Sequence, residues 1–124
     1  MTAEGFTNQG SYTPDNLIAG EYPRVARVVT IASGANLAQG ALLGKITASG
    51  KFKLSASAAT DGSEVPDAIL AEAANAAAAE VQAVVYFSGE FNESALSLGA
   101  GHTLASVKAG LRDRNIYLRT NQPA

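Results

Sequence analysis

Short runs in the first half of the chain have the composition or the two-residue period of β-strands. Residues 24–31 (RVARVVTI) are rich in β-branched side chains and are followed by the strand-breaking ASGAN. Residues 41–49 (ALLGKITAS) form a second candidate strand, and residues 51–55 (KFKLS) alternate cleanly between apolar and charged side chains. The Ser-Gly turn at residues 49–50 predicts a β-hairpin between these last two segments.

The segment from residue 61 to residue 91 is open to two interpretations. Its middle is nearly all alanine, the strongest helix former, which allows a helix over residues 68–81. Its end, residues 81–87, repeats with the period of two that is typical of a strand. Because helix propensity is a weak guide that tertiary contacts override, the pattern leaves residues 68–80 as either a helix or a strand with a turn.

One amphipathic helix is predicted near residues 103–113. Its apolar residues recur at i, i+3 and i+7, namely Leu104, Val107 and Leu111. Thr103 can accept a hydrogen bond from a free backbone N–H at the helix start, and Asn115 suits the left-handed position that ends a helix. Residues 116–120 (IYLRT) then predict a final strand.

The first 23 residues show neither period and are rich in glycine, proline and polar side chains. They predict an arm at residues 1–23 that is partly disordered when the protein is free, followed by a domain at residues 24–120 and a tail at residues 121–124. The apolar residues scattered through the arm suit a segment that becomes ordered on a partner. For residues 17–23, packing on the chain's own domain is an equally open alternative.

Charge and cysteine usage narrow the classes of function. The chain carries 9 Lys+Arg against 11 Asp+Glu, a net charge of -2, and has no basic run, so no nucleic-acid partner is expected. Cysteine is absent, which excludes disulfides and thiolate metal sites. The first residues lack the pattern of a secretory signal, and no apolar run approaches the ~20 residues of a membrane-spanning helix. We therefore expect synthesis in the cytoplasm and no membrane partner.

The hydrophobic content overstates the size of the core. Hydrophobic residues make up 47% of the chain, but 25 of them are alanine. Burial stabilises by about 25 cal/mol per Å² of apolar surface, and alanine has little side-chain surface to bury. A core built from such residues can be supplemented by surface buried between subunits, so we expect an oligomer.

No group of residues in the sequence predicts catalysis, a metal site or a cofactor site. The only histidine, His102, has no second ligand at a typical spacing, so a structural or solvent-facing role is expected. The GAG of residues 99–101 lacks the further residues of a phosphate-binding loop. Glu90 and Glu93 could act as an acid and a base, but exposed carboxylates beside a turn are far commoner. The basic residues at 112–114 flank an aspartate and predict a solvated face or a subunit contact.

Five segments of the chain, taken together and in order, resemble the lambda-type phage head decoration proteins. These segments are TPDNLIAGEYP (13–23), TIASGANLAQGALLGKI (30–46), DGSEVPDAILAE (61–72), VYFSGEFN (85–92) and LRDRNIYLR (111–119). The resemblance implies an α+β, mostly β domain, a bent β-ribbon of β-clip or β-tulip type with short strands and one short helix. It also implies that AILAEAANA is a strand, AAAE a turn and VQAVVYFSGEF the next strand, which decides between the two interpretations.

The resemblance implies a structural role and not an enzymatic one. Such a protein binds the major capsid protein on the outer surface of the expanded head as a homotrimer and stabilises the shell against the pressure of packaged DNA. Its N-terminal region reaches the coat protein. Carried onto this chain, that role falls on the shell-binding candidates Phe6, Tyr12, Thr13, Pro14, Asn16, Leu17 and Ile18. The alternative is a nucleotide hydrolase on a similar trimeric β fold, but its clustered Asp and Ser motifs are not visible.

Overall fold

The computed structural model describes residues 17, 18 and 23–119. The arm at residues 1–16 and 19–22 and the last residues, 120–124, lie outside the described residues, so the predicted division into arm, domain and tail stays a prediction. The elements in the described part are β1 (Val25–Ile31), β2 (Asn36–Leu37), β3 (Leu42–Lys45), β4 (Phe52–Leu54), β5 (Pro66–Leu70), β6 (Ala74–Asn75), β7 (Val81–Asn92), a 3₁₀ turn (Glu93–Ala95), α1 (Leu104–Arg112) and β8 (Ile116–Arg119).

Five of these strands form a small sheet that closes on itself. The order of neighbours is β1-β4-β3-β5-β7, and β7 pairs back onto β1 in antiparallel register from Val25–Ser88 to Ile31–Val81. The long strand β7 then continues past the closed part, where β8 runs parallel to it. β2 and β6 form a separate two-stranded sheet. Strand β7 therefore connects the closed sheet with the C-terminal elements.

At strands β3 and β5 the closed sheet is buried on both faces, which explains the continuous apolar runs of these two strands. Leu43, Ala68 and Leu70 lie on the face toward the inside of the closed sheet, whereas Leu42 and Ile69 lie on the opposite face. Strands covered on two sides lose the polar alternation of a half-exposed strand and become continuously apolar. The sequences LL in β3 and AIL in β5 follow from this arrangement.

The two faces belong to two hydrophobic cores. The inner core, inside the closed sheet, comprises Ile31, Leu37, Ala41, Leu43, Phe52, Ala68, Leu70, Ala74, Ala76, Ala83 and Val85. The outer core lies between the sheet and the C-terminal elements and comprises Leu17, Leu42, Ile69, Phe91, Val107, Leu111, Ile116 and Leu118. Five of the eleven inner-core residues are alanine, so the expectation of a thin core holds for the inner core.

The predicted C-terminal helix is confirmed. Helix α1 begins after Thr103, whose Oγ1 accepts a hydrogen bond from the N–H of Ser106, while the Ser106 hydroxyl returns to the Thr103 backbone in a capping box. Val107 and Leu111 point into the outer core. Asn115 has a φ of 63°, the left-handed position expected after the helix, and β8 follows at once. The cap and the apolar stripe were sufficient to predict this element.

The segment between residues 61 and 92 contains no helix. It forms β5, β6 and β7, with bends at residues 77–79, as the resemblance implied. One detail differs from the single strand expected for residues 68–76. The first strand is interrupted after Leu70, because β5 pairs with β3 and β7 whereas Ala74 and Asn75 pair with β2. Pairing with a distant part of the chain overrides the helix propensity of alanine here.

The fold class expected from the sequence is confirmed at the level of a mostly β domain with one short helix. The hairpin between β3 and β4 is also confirmed, with Gly50 at a φ of 75° in its turn and the N–H of Ile46 donating to the carbonyl of Lys51 over 2.8 Å. The finer description as a bent ribbon of β-clip or β-tulip type stays a prediction. Closure of the sheet through β1 and β7 was not predicted.

Candidate functional site

The arm meets the domain at the far end of β7. Leu17 accepts a backbone hydrogen bond from the N–H of Asn92 over 2.7 Å, and Ile18 forms an isolated antiparallel bridge with Phe91. Strand β8 pairs with the same stretch of β7 in parallel register. Leu17 and Ile18 therefore add a short antiparallel segment beside β7. We call Leu17, Ile18, Phe91 and Asn92 the arm junction.

Leu17 belongs to the domain and not to an exposed binding surface. Its side chain is 2% exposed and lies in the outer core, while Ile18 is half-buried against the same core. The alternative that this part of the arm packs on its own domain is thus correct for Leu17 and Ile18. The Leu17 side chain faces its own core in this structure, and its expected contact with the shell stays a prediction. The other shell-binding candidates, Phe6, Tyr12, Thr13, Pro14 and Asn16, lie outside the described residues.

A glycine shapes β7 just before the junction. Gly89 has a φ of 143°, which L side chains rarely adopt, and a Cβ there would lie 2.8 Å from Cζ of Phe91 and 2.9 Å from Cγ of Arg24. Its N–H donates to the carbonyl of Asn115 over 3.1 Å, where β8 begins. The glycine lets β7 turn closely around the Phe91 ring, so that the ring enters the outer core beside Leu17.

Polar side chains hold the end of β7 in place. The Oδ1 of Asn92 accepts hydrogen bonds from the N–H of Ser94, 3.1 Å away, and from the Ser94 hydroxyl, 2.8 Å away, and so caps the 3₁₀ turn. Glu93 lies 3.6 Å from the Nζ of Lys108 on α1. The side of β7 that receives the arm is thereby connected to the helix that covers the outer core.

The two glutamates considered as an acid and a base have structural surroundings. Glu93 faces Lys108, and Glu90 lies 4.0 Å from Arg119 on β8. A third ion pair joins Arg114 to Asp67 on β5, with the Nε of Arg114 2.7 Å from Oδ1 of Asp67. Each of these side chains connects two elements of the fold, which fits the expectation of solvated faces and structural contacts.

His102 connects a loop to the sheet. Its Nε2 is 3.0 Å from the hydroxyl of Ser55, a residue with no exposed surface. The neighbouring GAG turn packs closely on the same segment, since a Cβ on Gly99 would lie within 1.8 Å of the Ser55 carbonyl oxygen. A buried hydroxyl cannot be reached by a substrate, so this Ser–His pair fits the structural role expected for His102. The turn packs on Ser55 as a loop rather than standing open as an anion site.

The Asp-Gly-Ser run that carries part of the resemblance builds the turn into β5. Oδ1 of Asp61 accepts hydrogen bonds from the hydroxyl and the N–H of Ser63, the latter over 3.0 Å, and Lys53 lies 3.6 Å from the other carboxylate oxygen. The Ser63 hydroxyl bond, with the Ser63 N–H bond and the Lys53 charge, lowers the pKa of Asp61. Gly62 adopts a φ of 101° within this turn. The motif is therefore a structural signature.

Two exposed valines lie on β1 and were missed by the sequence analysis. Val28 is 62% exposed and pairs with Val84 on β7, and Val25 is 38% exposed on the same strand. Among the described residues, no strand lies beside the outer edge of β1 before Ile31, where β4 begins to pair. Strand β1 was predicted, but the sequence RVARVV does not show which of its faces the rest of the chain covers.

No other described feature forms a chemical site. A shallow cleft of about 270 Å³ lies beside β2 and β4, and Lys53 is the only titratable residue among its described lining. Within residues 17, 18 and 23–119, no three His, Cys, Asp or Glu side chains are grouped so that they could hold a metal ion. No helix in this part of the chain is long and apolar enough to cross a membrane.

The comparison with protein families shows the family of the chain. A family model described as bacteriophage lambda head decoration protein D matches residues 6–116. The chain belongs to this family. A comparison with curated proteins finds no match. The match begins inside the arm and ends at the start of β8, so it includes both sides of the arm junction.

Membership of the decoration protein family gives the broad function. The family consists of structural proteins of the phage head and not of enzymes, so the nucleotide hydrolase alternative is set aside. A decoration protein binds the phage capsid and is located in the virion. The resemblance identified from the five sequence segments is thereby confirmed.

Proposed function

We propose that this decoration protein binds the outer face of the expanded phage head as a homotrimer and stabilises the shell against the pressure of packaged DNA. The observation that carries the proposal is the family match over residues 6–116, which includes most of the arm as well as the domain. The partner is the major capsid protein. The chain is made in the cytoplasm of the bacterial host. Its net charge of -2 does not attract nucleic acid, so the proposal includes no nucleic-acid partner.

The arm is the part that reaches the coat protein. Phe6, Tyr12, Thr13, Pro14, Asn16 and Ile18 are the proposed contacts, and an extended arm can add backbone hydrogen bonds to a strand edge of the coat protein. Fixing the backbone costs about 1–2 kcal/mol per residue, so residues 1–16 are ordered only where shell contacts offset that cost. The arm junction supports this division, since the described arm residues are held by the domain itself.

Three copies act together in binding. The alanine-rich inner core and the exposed valines of β1 favour association of copies, because contact between copies would bury apolar surface that the single chain leaves in water. Once one arm of a trimer is bound, the second and third arms are held near their sites at a high effective concentration. Three weak contacts can therefore give the whole trimer a high affinity for the shell. We also propose that the domain has the bent-ribbon form of the β-clip or β-tulip type.

Deletion of residues 2–16 tests the proposed role of the arm. Because the arm junction is retained, we expect unchanged melting and unchanged native mass. Affinity for expanded shells, measured by sedimentation of shells with bound protein, should fall by about 10²-fold or more, since losses at three arms compound. Unexpanded shells serve as the comparison, and neither form of the protein should coat them tightly. Equal coating of expanded shells by the truncated and full-length chains would contradict the proposal.

A further inference from the structure

We propose that Leu17 is the positioning residue of the arm, which fixes the arm to the end of β7 so that each arm leaves the domain at a defined place. This inference rests on the proposed role of the arm in shell binding. It assigns to Leu17 a function inside the protein, in contrast to the shell contact expected from the sequence.

The first support is the backbone connection. The N–H of Asn92 donates to the carbonyl of Leu17 over 2.7 Å, and Ile18 bridges Phe91 beside it. The receiving strand is β7, which also pairs with β1, β5 and β8. The base of the arm is therefore attached to the strand that pairs with three other strands of the sheet.

The second support is the side chain. Leu17 is among the largest fully buried side chains of the described residues and shares its core with Phe91, Leu111 and Ile116. A single backbone hydrogen bond between Leu17 and Asn92 would open readily, and both groups would then bond to water instead. Burial of the leucine side chain makes release of the arm base depend on exposing apolar surface, which is unfavourable in water.

The third support is the rigidity of the receiving side. The Asn92 side chain caps the 3₁₀ turn through Ser94, and Glu93 lies near Lys108 of α1. Gly89 allows the Phe91 ring to enter the outer core beside Leu17. The N–H of Asn92 is therefore held in place for the carbonyl of Leu17, and Leu17 is the part of the connection that the arm itself supplies.

The test is Leu17→Ala in the full-length chain, with Leu43→Ala as its matched control. Leu43 undergoes the same substitution in the inner core, away from the arm junction, and is equally buried. Both variants should melt at lower temperature. At a temperature well below both transitions, Leu17→Ala should weaken binding to expanded shells by about tenfold per arm, because the shell must then order residues that the domain had held. Leu43→Ala should bind as the wild type does.

Two further measurements keep the outcome decisive. The amide of Asn92 should lose hydrogen-exchange protection in Leu17→Ala but keep it in Leu43→Ala, whereas the amides of β7 that pair with β1 should stay protected in both. If Leu17→Ala does not fold, Leu17→Val, which removes less of the side chain, gives the same comparison. Equal shell affinity and equal Asn92 protection in the variant and its control would overturn the inference.

A double-mutant cycle separates this inference from the proposed function. In a chain that lacks residues 2–16, Leu17→Ala should cause a much smaller further loss of shell affinity than in the full-length chain, because the proposed contacts within residues 2–16 no longer need to be positioned. If the deletion alone leaves affinity unchanged, the proposed role of the arm fails. If the deletion weakens binding but Leu17→Ala in the full-length chain does not, the arm binds the shell and the positioning role of Leu17 is wrong.

Discussion

At the scale of single residues, the structure depends on positions where one atom more would not fit. Gly89 is such a position, because its backbone lies at a φ of 143° and the space for a Cβ is taken by Phe91 and Arg24. Gly110 is the opposite case, since it lies in exposed helix with nothing within 4 Å of a Cβ. The chain therefore contains a test residue and its control.

We predict that Gly89→Ala lowers the free energy of unfolding by about 2 kcal/mol or more, from backbone strain and overpacking against Phe91. Gly110→Ala should raise it by up to about 1 kcal/mol, because alanine is the better helix former. Denaturant unfolding of the two variants beside the wild type measures both effects. A Gly89→Ala protein as stable as the wild type would show that β7 can straighten at this point without cost.

At the scale of elements, the turn into β5 makes stability depend on pH. Ser63 and Lys53 hold the pKa of Asp61 below its ordinary value, so the folded protein binds a proton there less readily than the unfolded chain does. The stabilisation from Asp61 is complete above the ordinary carboxyl pKa of about 3.9 and is lost as the pH falls toward the lowered, folded value. Acid therefore weakens this turn.

We predict that the melting temperature of Asp61→Asn falls less steeply than that of the wild type as the pH is lowered from about 5 to about 3. Ser63→Ala should reduce the steepness too, because it removes the hydroxyl that contributes most to the lowered pKa. Thermal unfolding at a series of pH values measures the slope. Parallel curves for the wild type and Asp61→Asn would contradict the assigned role of this carboxylate.

Some elements of the fold could be predicted from the sequence and others could not. Helix α1 and the alternating part of β7 were predictable, because the cap and apolar stripe of the helix and the period of two of the strand are local sequence patterns. Residues 68–80 were not, since their strands are stabilised by pairing with β2 and β3 far away in the chain. Only the resemblance decided that segment, and the break between β5 and β6 escaped both.

The candidate site was predictable to a smaller extent. The sequence showed that the arm contains apolar residues without a period. It did not distinguish Leu17, which enters the outer core, from the arm residues proposed to contact a partner. The donor to the Leu17 carbonyl is the N–H of Asn92, which is distant in sequence and carries no local signal. The exposure of Val25 and Val28 on β1 was missed for the same reason, because exposure is decided by what other elements cover.

At the scale of the whole molecule, the affinity of the proposed trimer for expanded shells should depend on how many arms the trimer carries. Coexpression of the full-length chain with a chain lacking residues 2–16 would produce trimers with zero, one, two or three arms. Native mass spectrometry can distinguish these species, because each missing arm lowers the mass by a fixed amount. The free protein should show a mass of three chains, either in solution or when released from shells.

We predict that affinity for expanded shells rises by more than a constant increment with each arm. After the first arm binds, the next arm is held near its site at a high effective concentration, so its binding adds a multiplicative factor to the affinity of the whole trimer. Trimers with three arms should therefore be strongly enriched on shells at limiting shell concentration, and those with one arm should stay in solution. Capture of arms in simple proportion to their abundance would mean that the chains bind as independent monomers, which would contradict the trimer while leaving the contact of the arm with the coat protein intact.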